Sequence, residues 1–355
     1  MIPSNALLEV NLKNLVSNYK YLSFINKKHI TGATIKANAY GLGDKKIINI
    51  LYNNGCRYFF VATLEEAIKL RKSFKYGYLY VLNGIKKTDL NNYMINNNII
   101  PIVNTIQNLE EFNSSKRQLK IGIHIDTGIN RLGISINELN KLRNSKKIKI
   151  TLVMSHLASA DEKYNSYNNK QFKIFNKITD KYFKNNLKSI SNSAGIILSK
   201  DFHYDVARPG IALYGGHNNT NLKNKIKPVI KLKAEILQIK KIYKNDYVGY
   251  NQTYVAKKNM IIAIIGIGYA DGIIRQLSNK GFAYYNKFKF KIIGRISMDT
   301  LTIDITRHAK ILKTGMLVEL INYENDIEKL AKKCGTISNE ILTSISDRVK
   351  RIYNY

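Results

Sequence analysis

Thr34-Ile35-Lys36-Ala37-Asn38-Ala39-Tyr40-Gly41-Leu42-Gly43 is the stretch from which this 355-residue chain is best read. Ile30 to Ile35 reads as a short β-strand, and Asp44 reads as the N-cap of the helical pattern Lys45–Tyr52. Lys36 is then expected where a strand ends and a βα-loop begins. In a parallel barrel or a doubly wound sheet that edge carries the chemistry. Gly41 and Gly43 let the backbone approach a ligand closely, and the Tyr40 hydroxyl can reach a phosphate. In a chain this rich in lysine, one Lys at a strand end reads by itself as a solvated charge. The stretch therefore has to be weighed with what surrounds it.

From about residue 30 to residue 215, short β-branched runs alternate with longer amphipathic stretches. The strand-like runs are Tyr58–Val61, Tyr78–Leu82, Ile99–Val103, Leu119–Ile125, Ile148–Ser155 and Lys188–Ser191. Helical patterns lie between them: Thr63–Lys72, where Thr63 and Glu66 make a capping box, Ser135–Asn144 and Tyr164–Phe183. Repeated β-then-α units with right-handed crossovers give a parallel sheet, and seven or eight units point to a closed barrel. The expectation is an eight-stranded α/β (TIM-type) barrel, with an open doubly wound sheet as the alternative. No Gly-x-Gly-x-x-Gly follows the first strand, which argues against a dinucleotide site.

The rhythm changes over Asn218–Lys227, a polar stretch ending at Pro228. Beyond it, Ile230–Ile239, Ile261–Ile265, Phe288–Ile293 and Leu301–Ile305 alternate like half-buried antiparallel strands. Asn251, Gly281, Asn286 and Gly294 mark turns, and two short helices (Asp326–Lys333, Ser338–Ser344) are expected near the end. The expected division is a barrel domain over residues 1–225 and a mostly β C-terminal domain over residues 226–355. The first strand, Leu7–Asn11, can pair with either.

A chain of this length can bury a sizeable core in two domains. Its longest apolar run, Met260–Ile265 continuing to Ala270, is too short to span a bilayer. The start, Met1-Ile2-Pro3-Ser4-Asn5, lacks a basic segment followed by an apolar one, so no signal peptide is read. Cys56 and Cys334 are far apart and have no metal-type spacing, so no metal site is expected. A soluble cytoplasmic protein is the expectation. A net charge of +32 would ordinarily suggest nucleic acid. Here the lysines recur in nearly every block instead of forming one patch. Lys, Asn, Ile and Tyr are abundant together, with 4 Pro and no Trp. These preferences track AT-rich codons, and no specific nucleic-acid partner or membrane is expected. A nucleic-acid binder would need a localised basic face with interleaved aromatics.

Further motifs carry chemistry. In Leu119–Ile125, Ile121, Ile123 and Ile125 point one way; Gly122, His124 and Asp126 point the other, towards the barrel mouth. Arg131, in the loop Asp126-Thr127-Gly128-Ile129-Asn130-Arg131-Leu132-Gly133, is then placed to bind a carboxylate or a phenolate. Alone it would be a surface Arg in a glycine turn. His156 ends the next strand in Ser155-His156-Leu157-Ala158, where a lone His is usually structural. Ser193, in Asn192-Ser193-Ala194, is expected to cap a helix and leave N–H groups facing the barrel mouth. Arg208-Pro209-Gly210-Ile211-Ala212-Leu213-Tyr214-Gly215 closes the alternating region, and the Gly210 and Ile211 amides can form a phosphate nest. Later come Val248-Gly249-Tyr250, Gly266-Ile267-Gly268-Tyr269-Ala270-Asp271-Gly272, Gly294-Arg295-Ile296-Ser297-Met298-Asp299 and Arg348-Val349-Lys350-Arg351-Ile352-Tyr353. With 24 Tyr in the chain, Tyr269 alone would mean nothing.

Taken in order over nearly the whole chain, these motifs resemble those of the alanine racemases, fold-type III enzymes dependent on pyridoxal 5'-phosphate (PLP). The resemblance implies that Lys36 bonds the cofactor covalently and that Tyr40 and Tyr353 contact its phosphate. It implies that Arg131 contacts the cofactor's phenolic oxygen and the substrate. Arg208 would face the pyridine nitrogen, where a permanent cation disfavours ring protonation and suits proton exchange. His156, Ser193, Gly210 and Ile211 fall at the cofactor, and Met298 in the substrate-contacting loop. Lys36 and Tyr269 would be the two bases, on the D and L sides. A phenol is a weak base at neutral pH unless cationic neighbours favour its anion, and His156 and Arg208 can supply that field. Tyr269 and the Met298 loop would come from the partner subunit of a homodimer, and the role implied is D-alanine supply for peptidoglycan.

Ser297, where cysteine is commoner, and Lys350, where proline is usual, are departures. So is His124, at a position where many relatives carry a carbamylated lysine that holds the arginine. Neutral His124 is expected to accept a hydrogen bond from Arg131, to admit a small anion, or merely to fill space. Rival readings are a racemase for serine, lysine or several amino acids, and a PLP decarboxylase of the related barrel family, against which the Tyr269 motif speaks. A non-enzymatic PLP-binding protein would lack everything after about residue 225.

Overall fold

The computed structural model describes residues 5–27, 29–89, 92–115, 118–141, 147–217 and 225–355. Two compact units emerge. One takes the chain up to Leu15, Tyr214–Gly216 and Pro228–Tyr355; the other takes Val16–Leu213 and His217–Lys227. Most of the polar stretch in which the sequence places the division, residues 218–224, lies outside the described residues.

The larger unit is the parallel barrel. Its first strand is broken at Gly32 into Ile30–Thr31 and Ala33–Thr34. A Cβ at Gly32 would stand 2.8 Å from the Tyr58 carbonyl and 2.9 Å from the Phe60 ring, so only glycine fits. Parallel pairing then runs through Tyr58–Val61, Tyr78–Val81, Ile99–Val103, Leu119–His124, Ile148–Met154 and Lys188–Ser189. Val206–Ala207 pairs with Ile30–Thr31. Backbone bonds from Asp205 N to Lys188 O and from Arg208 N to Ser191 O join it to the preceding strand. Eight strand positions thus close on themselves.

Inward side chains fill the barrel as a packed core: Phe60, Tyr80, Ile100, Ile102, Leu152, Met154 and Val206. Helices Asp44–Asn53, Leu64–Arg71, Ile106–Asn113 and Ser166–Tyr182 bury Ile47, Leu51, Leu70, Phe112 and Phe175. The expected capping box is formed, with Thr63 accepting from Glu66 N. Two local expectations are corrected. Asp44 is the first helical residue, and Gly43, at φ 101, takes the cap position. Of the helix expected over 135–144, the described part is a 3-10 segment, Ile136–Lys141.

The other unit is an antiparallel sheet in the strand order Met260–Ile265, Leu301–Asp304, Phe288–Ile293, Phe282–Tyr285, Leu317–Ile321, Ile230–Ile242, Ala6–Asn11, Lys350–Asn354. Met260–Ile265 also pairs with Ile230–Ile242, so six of these strands form a ring. The N-terminal strand joins this sheet, antiparallel to Ile230–Ile242 and parallel to Lys350–Asn354. Helices Ile327–Cys334, capped by Asp326, and Ser338–Thr343 follow as expected. Among the described residues no helix is long and apolar enough to cross a membrane.

Candidate active site

The strand ends of the barrel gather most of the singled-out residues. After Thr34 the chain enters a left-handed turn, with φ between 52° and 55° at Ala37, Asn38, Ala39 and Tyr40. This is a structured element in place of the expected loop. Bonds from Ala39 N to Ile35 O, Gly41 N to Ala37 O and Gly43 N to Asn38 O close it. Glu66 anchors its start: Oε1 accepts from Ala37 N at 2.6 Å, and Oε2 from Ala62 N at 2.7 Å. Tyr40, at the end of the turn, is buried, and its hydroxyl lies where a Cβ on Gly210 would come within 2.3 Å.

Lys36 is half-buried, and desolvation followed by the field of Arg131 lowers its pKa, against a smaller opposing effect of Glu66. A lysine so placed exposes a neutral amine more readily than a solvated one, which is the state a nucleophile needs. Arg208 is buried. It donates to Ser189 Oγ, and to the Ser155 carbonyl at 2.6 Å. Burial pulls its pKa down to about 9, which leaves it cationic at neutral pH. His156 is held well below the ordinary imidazole value by desolvation and by Arg208, Arg131, His124 and Lys36. The expectation that it serves as a cationic neighbour is therefore corrected: it is neutral.

Ser193 is corrected as well. The cap of helix Gly195–Leu198 falls at Ala194, and it is Asn192 Oδ1, not Ser193, that accepts from the first helical amide, Gly195 N, at 2.9 Å. Ser193 Oγ instead accepts from Gly210 N at 2.9 Å and Ala212 N at 3.2 Å, on either side of Ile211. The Gly210 amide, expected in a phosphate nest, is engaged by this hydroxyl.

The loop carrying Arg131 is fixed through its backbone. Asp126 N bonds to Ile134 O, and Ile134 N to His124 O. Asp126 Oδ1 accepts from Gly128 N and Asn130 N, and Tyr167 Oη donates to Gly128 O. Gly133 has φ 119, and a Cβ there would meet Asp126 N at 2.7 Å. The Arg131 side chain itself is exposed and makes no hydrogen bond or ion pair with any described residue. His124 does not bond to Arg131; its Nδ1 lies 2.9 Å from Asn104 Oδ1. Asn104 and Gln171 escaped the sequence reading. Asn104 follows directly on a strand and shares the strand-end register of His124, a signal that was available. Gln171, buried on the helix Ser166–Tyr182, donates to Thr127 Oγ1 and the His156 carbonyl, and nothing in its helical setting advertised that.

In the antiparallel unit, two motifs meet through their backbones. Tyr269 N bonds to Ser297 O and Ala270 N to Met298 O, and a Cβ on Gly268 would fall 2.2 Å from the Met298 carbonyl. Arg348 pairs with Asp271 and Asp299 across both turns. A Cβ on Gly249 would meet Arg295 N at 2.8 Å, which brings the Tyr250 loop against the same segment. Tyr269, Met298 and Tyr250 are 44%, 52% and 67% exposed, on the unit's surface. Tyr353 lies in the strand Lys350–Asn354, opposite Val10.

A parallel barrel with a desolvated lysine beside two arginines at its strand ends, in one chain with an antiparallel β-unit, is the architecture of a barrel enzyme with a cationic strand-end site. Comparison with known proteins narrows the class. The family described as "Alanine racemase, N-terminal domain" matches residues 10–218, and "Alanine racemase, C-terminal domain" matches residues 229–353. The chain is 40% identical over 356 residues to the alanine racemase of Rickettsia akari, covering 98% of each. It is 37% identical over 377 residues to that of Brucella abortus, covering 100% of this chain and 95% of that one. The crystal structure of alanine racemase from Bartonella henselae with covalently bound pyridoxal phosphate superposes with a TM-score of 0.93 at 36% identity, covering 99% of this chain and all of the other. The chain belongs to the alanine racemase family.

Proposed function

We propose that the chain is a PLP-dependent isomerase that interconverts L-alanine and D-alanine by a two-base mechanism. The observation that carries this reading is the cation excess at the barrel mouth. Lys36, Arg131 and Arg208 gather there, while both oxygens of Glu66 and Oδ1 of Asp126 accept from backbone amides. That donor set calls for an anion, and the Tyr40 hydroxyl stands where a side chain on Gly210 would collide with it. A phosphate-bearing pyridine aldehyde fits: its carbonyl suits the Lys36 amine, its phosphate the hydroxyl of Tyr40. PLP, when bound, withdraws electrons from the substrate and so acidifies its Cα–H.

The remaining steps belong to the protein. Arg131 binds the substrate carboxylate, and Lys36 Nζ removes or returns the Cα proton on the D side. Tyr269 Oη does so on the L side, supplied with Met298 by the partner subunit of a homodimer. With PLP bound, Arg208 would meet the ring nitrogen, Tyr40, Ser193, Gly210, Ile211 and Tyr353 would hold the phosphate, and His156 would border the cofactor. On this reading the barrel unit is the PLP-binding domain and the antiparallel unit the domain that completes a neighbour's site. The product serves peptidoglycan synthesis in the cytoplasm.

The test is Lys36→Ala. In the unaltered protein an absorbance band of lysine-bound cofactor is expected, bleached by borohydride with label left on Lys36. The variant should lose racemisation in both directions and hold PLP only weakly. Retained racemisation in the purified variant would refute the assignment.

A further inference from the structure

Within the antiparallel unit, the turn after Tyr269 and the end of the helix Ile327–Cys334 enclose a cavity of about 350 Å³. Tyr269, Ile273, Arg275, Cys334, Thr336 and Glu340 line it. Its walls are fixed by the local backbone. Gly272 turns the chain at φ 107, where a Cβ would stand 2.7 Å from Ile345 Cα, and its carbonyl accepts from Ser344 Oγ at 3.0 Å. Ser346 N bonds to Asp271 O, and Gly335 ends the helix at φ 69. The space therefore exists before anything enters it.

Two charged side chains of opposite sign line this cavity and do not pair. The Arg275 side chain makes no hydrogen bond or ion pair with any described residue. Glu340 receives the Thr336 hydroxyl on Oε2, and its Oε1 has no partner among the described residues. Its charge reaches the Cys334 thiol, whose pKa is raised by burial, with Lys333 opposing and Glu340 adding to the rise. A guanidinium and a carboxylate with nothing to hold between them would close into an ion pair. These two stand apart across a space at the lower end of small-ligand pockets. A lone anion entering it would meet Glu340 and a lone cation Arg275, each a repulsive contact. A molecule with one charge of each sign satisfies both. We propose that the cavity is a second ligand site, taking a small zwitterion, a free amino acid or a dipeptide, with its carboxylate on Arg275 and its ammonium on Glu340. Neither Met298 nor Tyr250 lines it, so it is separate from the site assigned above. The two share Tyr269: an occupant touches the side chain given the role of second base, and that consequence alone rests on the functional reading.

The chain carries its own reporter. Cys56 is fully buried and Cys334 lines the cavity, so a maleimide should label Cys334 alone in the folded holoenzyme. L-glutamine and glycylglycine represent the two sources of zwitterion, while N-acetylglycine carries only the anion and glycinamide only the cation. At least one zwitterion should slow the labelling, with half-protection on the order of 1 mM. Protection by glutamine alone assigns the site to amino acids, and by glycylglycine alone to dipeptides. Arg275 and Glu340 are solvent-exposed, so losing either contact should weaken protection about 3- to 10-fold. That factor is expected for each one-charge analogue, and for Arg275→Met with its Tm and ligand-free labelling rate unchanged. Labelling indifferent to both zwitterions overturns the proposal. So does equal protection by a one-charge analogue, or protection undiminished in Arg275→Met. These rates do not depend on activity: protection of Cys334 in a protein that fails to racemise alanine would refute the functional reading and leave the site standing.

Discussion

Replacing Gly210 by alanine isolates one contact on which the cofactor pocket depends. Gly210 does not have a left-handed backbone, so the substitution strains nothing locally. The new methyl would lie 2.3 Å from Tyr40 Oη and 3.0 Å from Cζ. Neither side can retreat cheaply. Gly210 is tied by its amide to Ser193, and Pro209 by its carbonyl to Thr34 N. Tyr40 sits at φ 55, closing a turn held by the Gly41 and Gly43 amides, with its ring 7% exposed. Overpacking of this kind costs about 1–3 kcal/mol. At roughly 2–4 °C per kcal/mol for a unit of this size, Tm of the cofactor-free protein should fall by several degrees. PLP affinity should fall with it, because the displaced atom is the hydroxyl assigned to the phosphate.

The control is Tyr40→Phe, which removes the atom struck first. In the double variant the methyl meets only the ring edge, so its cost should be about 0.5–2 kcal/mol less than the sum of the single ones. Thermal and urea unfolding followed by circular dichroism give the cycle, and PLP titration gives the second readout. Additive destabilisation, or a Gly210→Ala protein as stable as its parent with unchanged PLP affinity, would refute the contact.

Three further outcomes are expected. His124 and His156 are held neutral by the fold, so the unfolded chain binds protons first as pH falls. Stability should be flat above about pH 6.5 and fall towards pH 4, by up to ~1.4 kcal/mol per unit for each imidazole; urea titrations in which His124→Gln does not flatten that slope would contradict it. Tyr269→Phe should slow turnover by orders of magnitude while Cα proton exchange survives better for D-alanine than for L-alanine, and equal losses in deuterium exchange would rule out the two-base assignment. Mixing inactive Lys36→Ala and Tyr269→Phe subunits should restore some activity in hybrid dimers, and no recovery despite measured subunit exchange would exclude a site shared between subunits.

The alternation of strands and helices was legible because parallel strands buried on both faces read as β-branched runs, and Ile99–Val103 and Leu119–His124 are such runs. The antiparallel unit was legible only where alternation was strong. Phe282–Tyr285, Leu317–Ile321 and Lys350–Asn354 passed unnoticed, because their burial comes from neighbours distant in sequence. The same reason hid the engagement of Ser193 with Gly210 and Ala212. A hydroxyl before a helix reads as a cap, and only the closing of the barrel brings the competing amides to it.

The left-handed turn could not be read at all. Ala37, Asn38, Ala39 and Tyr40 include good helix formers, and nothing in their propensities favours φ near +53°. Each left-handed residue costs about 1–2 kcal/mol, so the turn persists only because its surroundings over-determine it. Glu66 fixes the first amide from the neighbouring helix, and Asn38 Oδ1 accepts from Asp44 N at the entry to the next. Lys36 comes immediately before the first left-handed residue and Tyr40 is the last. The strain is therefore spent on the backbone between the amine and the hydroxyl assigned to the two ends of one ligand. A right-handed turn would relieve it and would carry Tyr40 away from Gly210, whose missing side chain makes sense only if that hydroxyl stays where it is.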